Sequence, residues 1–282
     1  MRSPPRWRRR RDNVAALVIT FLTDFGLEDE FVGVCHGVIE RITPGTRVID
    51  INHGIRPQDV LQGALSLANA LPYMPVGVHL AVVDPEVGGD RRAVALHSRD
   101  GRLYVGPDNG LLVLAAERLG GITAAHELTN RELWLESVSW TFHARDVFSP
   151  VAAHLAAGRP LEDVGPAVDP SSLVRVDLPK PTVREGLIVA RCVAVDRFGN
   201  VELNARVEDL DAAAIKLGTR IEVELARERY YAVAAATFSD VGDGEVVVYE
   251  DSYGSVALAI SRGSAAETFV IAPGDRVALR VL

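Results

Sequence analysis

The stretch from Ala81 to Ala93 reads AVVDPEVGGDRRA, and it gives the first indication of the fold. An apolar run from Val78 to Val83, interrupted by one histidine, is typical of a buried strand in a parallel sheet. The run ends at Asp84, after which come two glycines and two arginines. In open α/β sheets, ligands bind beyond the carboxyl ends of the strands, so this loop is a candidate site. An ordinary Asp-Pro turn with a solvated ion pair would explain the same residues.

Strand and helix patterns alternate on both sides of this loop. Apolar runs indicate strands at 17–22, 47–51, 78–83, 93–97 and 103–105. Helical spacing is found at 31–42, 56–71 and 111–119, and again in an Ala-rich segment ending near 158. In the first of these helices, one face is expected to hold Phe31, Val34, Cys35, Val38, Ile39 and Ile42. Alternation with short links predicts an α/β domain whose parallel sheet is covered on both faces.

The pattern changes after a proline-rich segment at 160–181. Beyond Gly186 the chain has short strand-like runs separated by turn residues, which predict a small antiparallel sandwich or barrel. We therefore expect an N-terminal parallel-sheet α/β domain at 15–180, including the linker, followed by a smaller all-β C-terminal domain at 181–282. Residues 1–14 are expected to form a basic disordered tail.

Composition and charge limit the possible functions. The chain has 282 residues, 48% of them hydrophobic, and a net charge of −8. Six arginines and one acid give residues 1–13 a charge of +5, which leaves −13 on the remainder. An acidic body argues against nucleic acid as a partner and is compatible with a cationic small substrate. Two cysteines without CxxC spacing fit a reducing compartment, and the apolar run after the tail is too short to span a membrane. We expect a soluble cytoplasmic protein with no membrane partner.

Two further residues follow the pattern of site residues in this domain. Asp24 follows the first strand, where a carboxylate can accept both hydroxyls of a ribose, although it could equally be a helix N-cap. His143, in the sequence TFHARD, could hold or deprotonate a water, or could be a buried histidine bonded to backbone. The sequence contains neither GxGxxG nor GxxxxGK[ST], so a phosphate cradle is not indicated. Histidines and carboxylates also lack metal-ligand spacing, and we expect no metal.

The β domain contains two polar loops that could contact a ligand. Residues 196–200 read DRFGN, in which polar groups around Phe-Gly could bind an adenine edge and an amino group; a hairpin turn is the alternative. Residues 261–267 read SRGSAAE, which could hold a carboxylate through arginine and backbone amides; a loop and helix start is the alternative.

Taken together, these motifs resemble the S-adenosylmethionine hydroxide adenosyltransferase family, relatives of the fluorinating and chlorinating enzymes. The resemblance covers the chain from about Val18 to the C-terminus and rests on seven motifs in the same order: TDFG, DINHGI, VVDPEVGGDRRA, VGPDNG, TFHARDVFSP, DRFGN and SRGSAAE. It implies hydrolysis of S-adenosyl-L-methionine to adenosine and L-methionine without a cofactor or metal. It also implies a homotrimer with sites at the subunit interfaces.

The resemblance also assigns roles to residues of this chain. Asp84, Arg91 and His143 match the groups that act on the water. The substrate-binding matches are Asp24 for the ribose, Asp29 and Asp196 for the methionine portion, Asn200 for adenine, Ser261 and Arg262 for the methionine carboxylate, and Asn109 in VGPDNG. Two positions depart from the family pattern, because Glu86 and Ala144 stand where glycine is more usual. Arg92 lies next to Arg91, so the sequence leaves open which arginine acts.

Three other functions remain as alternatives. A halide-using adenosyl transferase would need a small anion pocket; such relatives lack the Asp-Arg-His set and carry an aromatic residue near Gln58. A non-catalytic nucleoside or S-adenosylmethionine binding protein would leave Asp84, Arg91 and His143 without a purpose. A metal-dependent hydrolase, by contrast, would be sensitive to chelators.

Overall fold

The computed structural model describes residues 17–225 and 228–282. They form two compact units that divide between Val176 and Asp177. The predicted basic tail at 1–14 lies outside the described residues.

A mixed sheet flanked by helices forms the first unit. Its strands are β1 (Val18–Thr23), β2 (Val48–Asn52), β3 (Gly77–Val82), β4 (Ala93–Ser98), β5 (Leu103–Pro107) and β6 (Ile122–Glu127). Its α-helices are α1 (Phe31–Ile42), α2 (Val60–Ala70), α3 (Val113–Arg118) and α4 (Ser149–Ala156). A π-helix spans Ala144–Phe148, and short 3-10 turns lie at Leu71–Tyr73, Arg131–Leu133, Leu161–Val164 and Pro170–Ser172.

The strand order, among the described residues, is β2-β1-β3-β5-β4-β6. Strands β2, β1, β3 and β5 are parallel, whereas β4 is antiparallel to both β5 and β6. The predicted parallel sheet is therefore observed for β2, β1, β3 and β5, and β4 departs from the prediction by running in the opposite direction. The physical reason is the short link at 99–102, because parallel neighbours need a long crossover while antiparallel strands can be joined by a tight turn. Strand β6 was not predicted from the sequence.

Helices cover both faces of this sheet, as the alternating pattern predicts. One buried cluster joins α1 and α4 to the sheet, and the other joins α2 and α3 to its opposite face. The predicted inner face of α1 needs one correction, since Val32 is buried while Phe31 is 39% exposed. The ring of Phe31 instead packs edge-on against Phe25 and Phe142.

The order β2-β1-β3 places the change in winding direction between β1 and β3. In open α/β sheets such a switch point opens a crevice beyond the carboxyl ends of the strands. Asp24 follows β1, Asp84 follows β3 by two residues, and Asn109 follows β5. Since these three strands are parallel neighbours, their carboxyl ends bring the three side chains to one edge.

The second unit is a sheet closed on itself. Its strands are β7 (Thr182–Arg184), β8 (Leu187–Val195), β9 (Val201–Arg206), β10 (Arg220–Leu225), β11 (Glu228–Ala234), β12 (Val246–Glu250), β13 (Ser255–Ile260) and β14 (Arg276–Val281). The short helices are α5 (Val207–Ala212), α6 (Ala265–Phe269) and a 3-10 turn at Phe238–Asp240. Strand β8 pairs with both β9 and β14, which closes the sheet around a buried apolar core.

The prediction of antiparallel pairing in this unit fails at one place, because β11 and β12 are parallel. A long connection at 235–245, containing the 3-10 turn, makes this pairing possible. No helix among the described residues has the length and apolarity to cross a membrane.

Candidate active site

A buried ion pair links the loop after β3 to the segment before β4. Arg91 Nη2 lies 2.6 Å from Asp84 Oδ2, and Arg91 Nε lies 3.1 and 3.0 Å from the two carboxylate oxygens. Each side chain is only 5% exposed, so the alternative of a solvated ion pair does not hold. Charge-assisted contacts of this forked kind fix the planes of both groups. Arg91 Nη1 makes no hydrogen bond within residues 17–225 and 228–282.

Gly88 lets this loop approach the segment that leads to His143. Its φ of +79° lies in the left-handed region, and a Cβ there would stand 2.4 Å from the carbonyl oxygen of Trp140. Any side chain at position 88 would therefore push the two segments apart. The loop itself is turned by the bond from Gly89 N to the carbonyl of Glu86, whose side chain is exposed.

His143 completes the group that surrounds Arg91. Its Nδ1 lies 2.8 Å from Arg91 Nη2. Because a guanidinium can only donate, Nδ1 must accept, and the ring is neutral with its proton on Nε2. Burial and the neighbouring charge of Arg91 lower the pKa of His143, opposed by Asp84, by Asp146 and by the backbone carbonyl of Ser139. The structure thus brings together Asp84, Arg91 and His143, and a histidine merely bonded to backbone does not describe the site.

Asp24 is held beside this group by an unusual backbone conformation. Its Oδ2 accepts a 2.8 Å hydrogen bond from the amide of Gln58, whose φ is +68°. Burial is the largest influence on the Asp24 pKa and raises it, with a smaller upward contribution from the charge of Asp84. The helix N-cap alternative is wrong, since Glu30 precedes α1. Sequence reasoning missed this role of Gln58, because left-handed geometry at a glutamine leaves no signal in the sequence.

A second histidine fixes the turn that contains Asp24. Thr23 Oγ1 lies 2.8 Å from His53 Nδ1 and accepts a 3.2 Å hydrogen bond from Phe25 N. The carbonyl of His53 accepts a 2.7 Å bond from Gly26 N, so one residue holds the turn at two points. On its other side, His53 Nε2 lies 3.1 Å from Asp50 Oδ1. The motif DINHGI was the available signal for these contacts.

Arg92 has different partners from Arg91. It contacts Asp108, with Nη2 2.5 Å from Oδ2, and donates to the carbonyl of Ser172. Asp108 in turn accepts a hydrogen bond from Val174 N. Arg92 therefore braces the chain at 172–174, and Arg91 alone contacts Asp84 and His143.

The two remaining predicted site residues of this unit differ in whether their side chains already have hydrogen-bond partners. Asn109 donates from Nδ2 to the carbonyl of Val83 at 2.8 Å and accepts from Leu111 N. Asp29 is exposed and makes no hydrogen bond or ion pair with any described residue. Among residues 17–225 and 228–282, no group of three or more His, Cys, Asp or Glu side chains is placed to hold a metal ion.

In the second unit, the predicted DRFGN residues form the turn between β8 and β9. Asp196 accepts hydrogen bonds from the amides of Phe198 and Asn200 and from Asn200 Nδ2, so the two polar side chains bind each other. The neighbouring SRGSAAE loop packs against this turn through the bond from Ala266 N to the carbonyl of Gly199. Both structural alternatives are observed: residues 196–200 are a hairpin turn, and Ser264 caps helix α6.

Within the SRGSAAE loop, the two predicted residues differ in exposure to solvent. Ser261 is buried, and its backbone pairs with Gly244 and Glu245. Arg262 has a φ of +58°, and its 81% exposed side chain lies 3.3 Å from Asp243. Left-handed conformations at residues with side chains are strained and concentrate at functional sites.

Comparison with known proteins identifies the family. Residues 19–165 match the SAM hydroxide adenosyltransferase N-terminal domain, and residues 190–278 match the C-terminal domain of the same family. A protein from Salinispora tropica named (R)-S-adenosyl-L-methionine hydrolase is 52% identical over 92% of this chain and 96% of its own length. A fluorinase from an Actinoplanes strain is 32% identical over 86% of this chain and 90% of its own length.

A solved structure supports the same relationship. The crystal structure of an uncharacterized conserved protein from Thermotoga maritima superposes with a TM-score of 0.88 at 36% identity, covering 93% of this chain and all of that one. The matched ranges contain Asp84, Arg91 and His143 in the first domain and the DRFGN and SRGSAAE loops in the second. The chain belongs to the SAM hydroxide adenosyltransferase family.

Proposed function

We propose that the chain hydrolyses S-adenosyl-L-methionine to adenosine and L-methionine. The main support is the buried Asp84–Arg91–His143 group, which can hold and polarise one water molecule. The name of the relative from Salinispora tropica, (R)-S-adenosyl-L-methionine hydrolase, points to the same reaction.

In this reaction the oxygen of water attacks the ribose 5′ carbon. The bond from that carbon to the sulfonium breaks, and its electron pair stays on sulfur, so methionine leaves as a neutral thioether. One proton is lost from the water. Because the leaving group is already activated by its positive charge, the site needs to supply only an aligned nucleophile and an acceptor for that proton. In-line positioning can contribute roughly 7–11 kcal/mol at best.

The three residues divide this work. Arg91 uses Nε and Nη2 on Asp84 and His143, which leaves Nη1 to donate to the water and to favour hydroxide. Asp84 retains lone pairs that can accept a hydrogen bond from the water and then its proton. His143 already accepts from Arg91 at Nδ1, so in this arrangement it orients the guanidinium rather than acting as the base.

Substrate binding is assigned to residues from both units. Asp24 would bind the ribose hydroxyls, with the Gln58 amide holding one carboxylate oxygen. Asp29 is exposed and unpaired among the described residues, which suits the cationic methionine amino group. Asn109, in the loop after β5, would contribute to substrate binding. In the second unit Asp196, Asn200, Ser261 and Arg262 would contact the methionine and adenine portions, and the exposed guanidinium of Arg262 suits a carboxylate.

We also propose a homotrimer with active sites at its subunit interfaces. Large apolar side chains are exposed in each unit, with Leu27 at 74% and Trp140 at 81% in the first, and Phe198 at 78% and Val270 at 87% in the second. Exposed apolar side chains that form a contiguous patch mark association surfaces, so these four are the residues to examine as interface candidates. Light scattering after size exclusion would test this: a monomer at micromolar concentration would contradict it.

Both cysteines are free and buried, which supports a cytoplasmic location.

The reaction is tested by incubating purified protein with S-adenosyl-L-methionine in chelator, with and without chloride. Equal amounts of adenosine and methionine, unaffected by chelator, are expected. 5′-Chloro-5′-deoxyadenosine would instead indicate the halide-using transferase, the alternative suggested by the fluorinase relative. Tight binding without turnover would favour a binding protein and refute the roles given to Asp84 and Arg91.

A further inference from the structure

The segment that follows His143 is a π-helix, Ala144–Phe148. Its defining bond runs from Ser149 N to the carbonyl of Ala144. A π turn inserts one extra residue and rotates the side chains relative to an α-helix, and such turns are frequent at functional sites. Asp146 lies within this segment, and its side chain contacts Ser139 in the loop that precedes His143.

Asp146 is the most enclosed carboxylate of this region, with a side chain that is 0% exposed. Its Oδ2 accepts a 2.8 Å hydrogen bond from Ser139 N, and Arg145 contacts both oxygens at 2.6 and 2.9 Å. The backbone carbonyl of Asp146 also accepts a 2.9 Å bond from Leu135 N. One residue thus holds the loop at 135–139 through both its side chain and its main chain.

Ser139 connects Asp146 to the histidine. Its amide is held by Asp146, and its Oγ accepts a 3.0 Å bond from Phe142 N, the residue that immediately precedes His143. The Nδ1 side of the ring faces Arg91 at 2.8 Å, so the placement of the backbone at 142–143 decides whether this nitrogen reaches the guanidinium and keeps the proton on Nε2. The orientation of Ser139 therefore bears on which nitrogen of His143 is available to Arg91.

Pairing with Arg145 alone does not explain why Asp146 is buried. Arg145 is 34% exposed, and an ion pair formed at the surface would avoid the desolvation of the carboxylate. The buried position of Asp146 is the one from which it can reach the amide of Ser139.

We infer that Asp146 is a positioning residue for His143, acting through Ser139 to fix the ring so that Nδ1 receives Arg91. Its importance for catalysis rests on the proposed hydrolase function. The orientation of the His143 ring does not depend on that function, and it can be measured without substrate.

The test compares Asp146→Asn with Asp108→Asn. Asp108 is a matched control, because its side chain is 2% exposed, pairs with an arginine and accepts a backbone amide, yet does not contact His143. Loss of the hydrogen-bonded partner that orients a metal-ligating histidine costs about 10- to 100-fold, and we expect Asp146→Asn to lower kcat by a factor in the same range with KM within about twofold. Asp108→Asn should leave the kcat largely unchanged.

A second readout is the ring of His143 itself. Nitrogen-15 correlation spectra report the tautomer, and the His143→Gln variant identifies its signals. The Nε2–H form should dominate in the unmodified protein and in Asp108→Asn, and become mixed in Asp146→Asn. If Asp146→Asn does not fold, Ser139→Ala, which removes the acceptor for Phe142 N and the hydroxyl beside Asp146 but keeps the amide that Asp146 holds, should show a smaller change of the same kind.

The outcomes separate the two proposals. An unmodified protein without turnover would refute the hydrolase function, and the spectra would still decide the role of Asp146. Turnover with unchanged kcat and an unchanged tautomer in Asp146→Asn would overturn the inference. Equal losses in Asp146→Asn and Asp108→Asn would overturn it too, because they would indicate a general effect of losing a buried carboxylate.

Discussion

Replacing Arg91 by lysine keeps the positive charge and removes the forked geometry. The guanidinium donates to Asp84 from two nitrogens and to His143 Nδ1, whereas a single ammonium can satisfy one or two of these acceptors. Loss of two charge-assisted hydrogen bonds at about 1.5 kcal/mol each gives about 3 kcal/mol. If the transition state bears that loss, kcat falls by roughly 100-fold.

The assay is the rate of adenosine release at saturating S-adenosyl-L-methionine, with KM from the same series. KM should stay within about threefold, because Arg91 is assigned to the water rather than to the substrate. Arg92→Lys is the matched control, since the adjacent arginine contacts Asp108 and Ser172 instead. A variant of Arg91 that raised KM and kept kcat would refute the assignment, as would an equal loss in Arg92→Lys.

Three further predictions concern pH and backbone strain. Burial and the charge of Arg91 lower the pKa of His143, so Nδ1 stays unprotonated and able to accept from Arg91 at pH values below 6.5, and the acid limb of the kcat–pH profile should lie below pH 6.5. Asp146→Asn removes a negative charge that raises this pKa, so it should move the acid limb to lower pH; a move to higher pH would contradict the assignment. His79 is buried, and burial lowers its pKa to about 3. The unfolded chain therefore binds the extra proton between pH 6.5 and 3, so stability should fall as pH drops through that window, by up to about 1.4 kcal/mol per unit from this residue; urea titrations at pH 5 and 7 should show a smaller difference in His79→Leu. Gln58→Gly should raise the free energy of unfolding by about 1 kcal/mol by relieving left-handed strain, with Asp24 still bonded to the amide and KM little changed; a stability loss in thermal unfolding would show that the glutamine side chain matters more than its backbone.

Local features of the sequence were sufficient to predict most of the first unit. The apolar run before Asp84 and the spacing from Phe31 to Ile42 each depend on neighbours within a few residues, and the predicted elements are observed there. Pairing direction depends on more distant partners. The antiparallel position of β4 follows from its short link to β5, which was visible in the sequence but outweighed by the alternating pattern. The parallel pairing of β11 and β12 had no comparable local signal.

The residues of the candidate site also divide into those that the local sequence could identify and those that it could not. Asp84 and Asp24 could be identified because they follow strands, and that position has a chemical meaning in an α/β sheet. Gln58 and Asp146 could not, because their contributions come from a left-handed backbone and from a π turn. Both are conformations that ordinary side chains adopt only when the surrounding structure imposes them.

Strand order decides which of the two adjacent arginines, Arg91 or Arg92, reaches Asp84. Neighbouring residues of an extended chain point to opposite sides, so only one of Arg91 and Arg92 can face a given site. The sequence offers each a carboxylate at a strand end, Asp84 after β3 and Asp108 after β5, and the two arginines precede β4 directly. The partners are decided by strand order: β5 lies between β3 and β4, so the segment before β4 passes both strand ends. Arg92 braces the nearer loop, and Arg91 is left to form the buried pair with Asp84 on which the proposed chemistry depends.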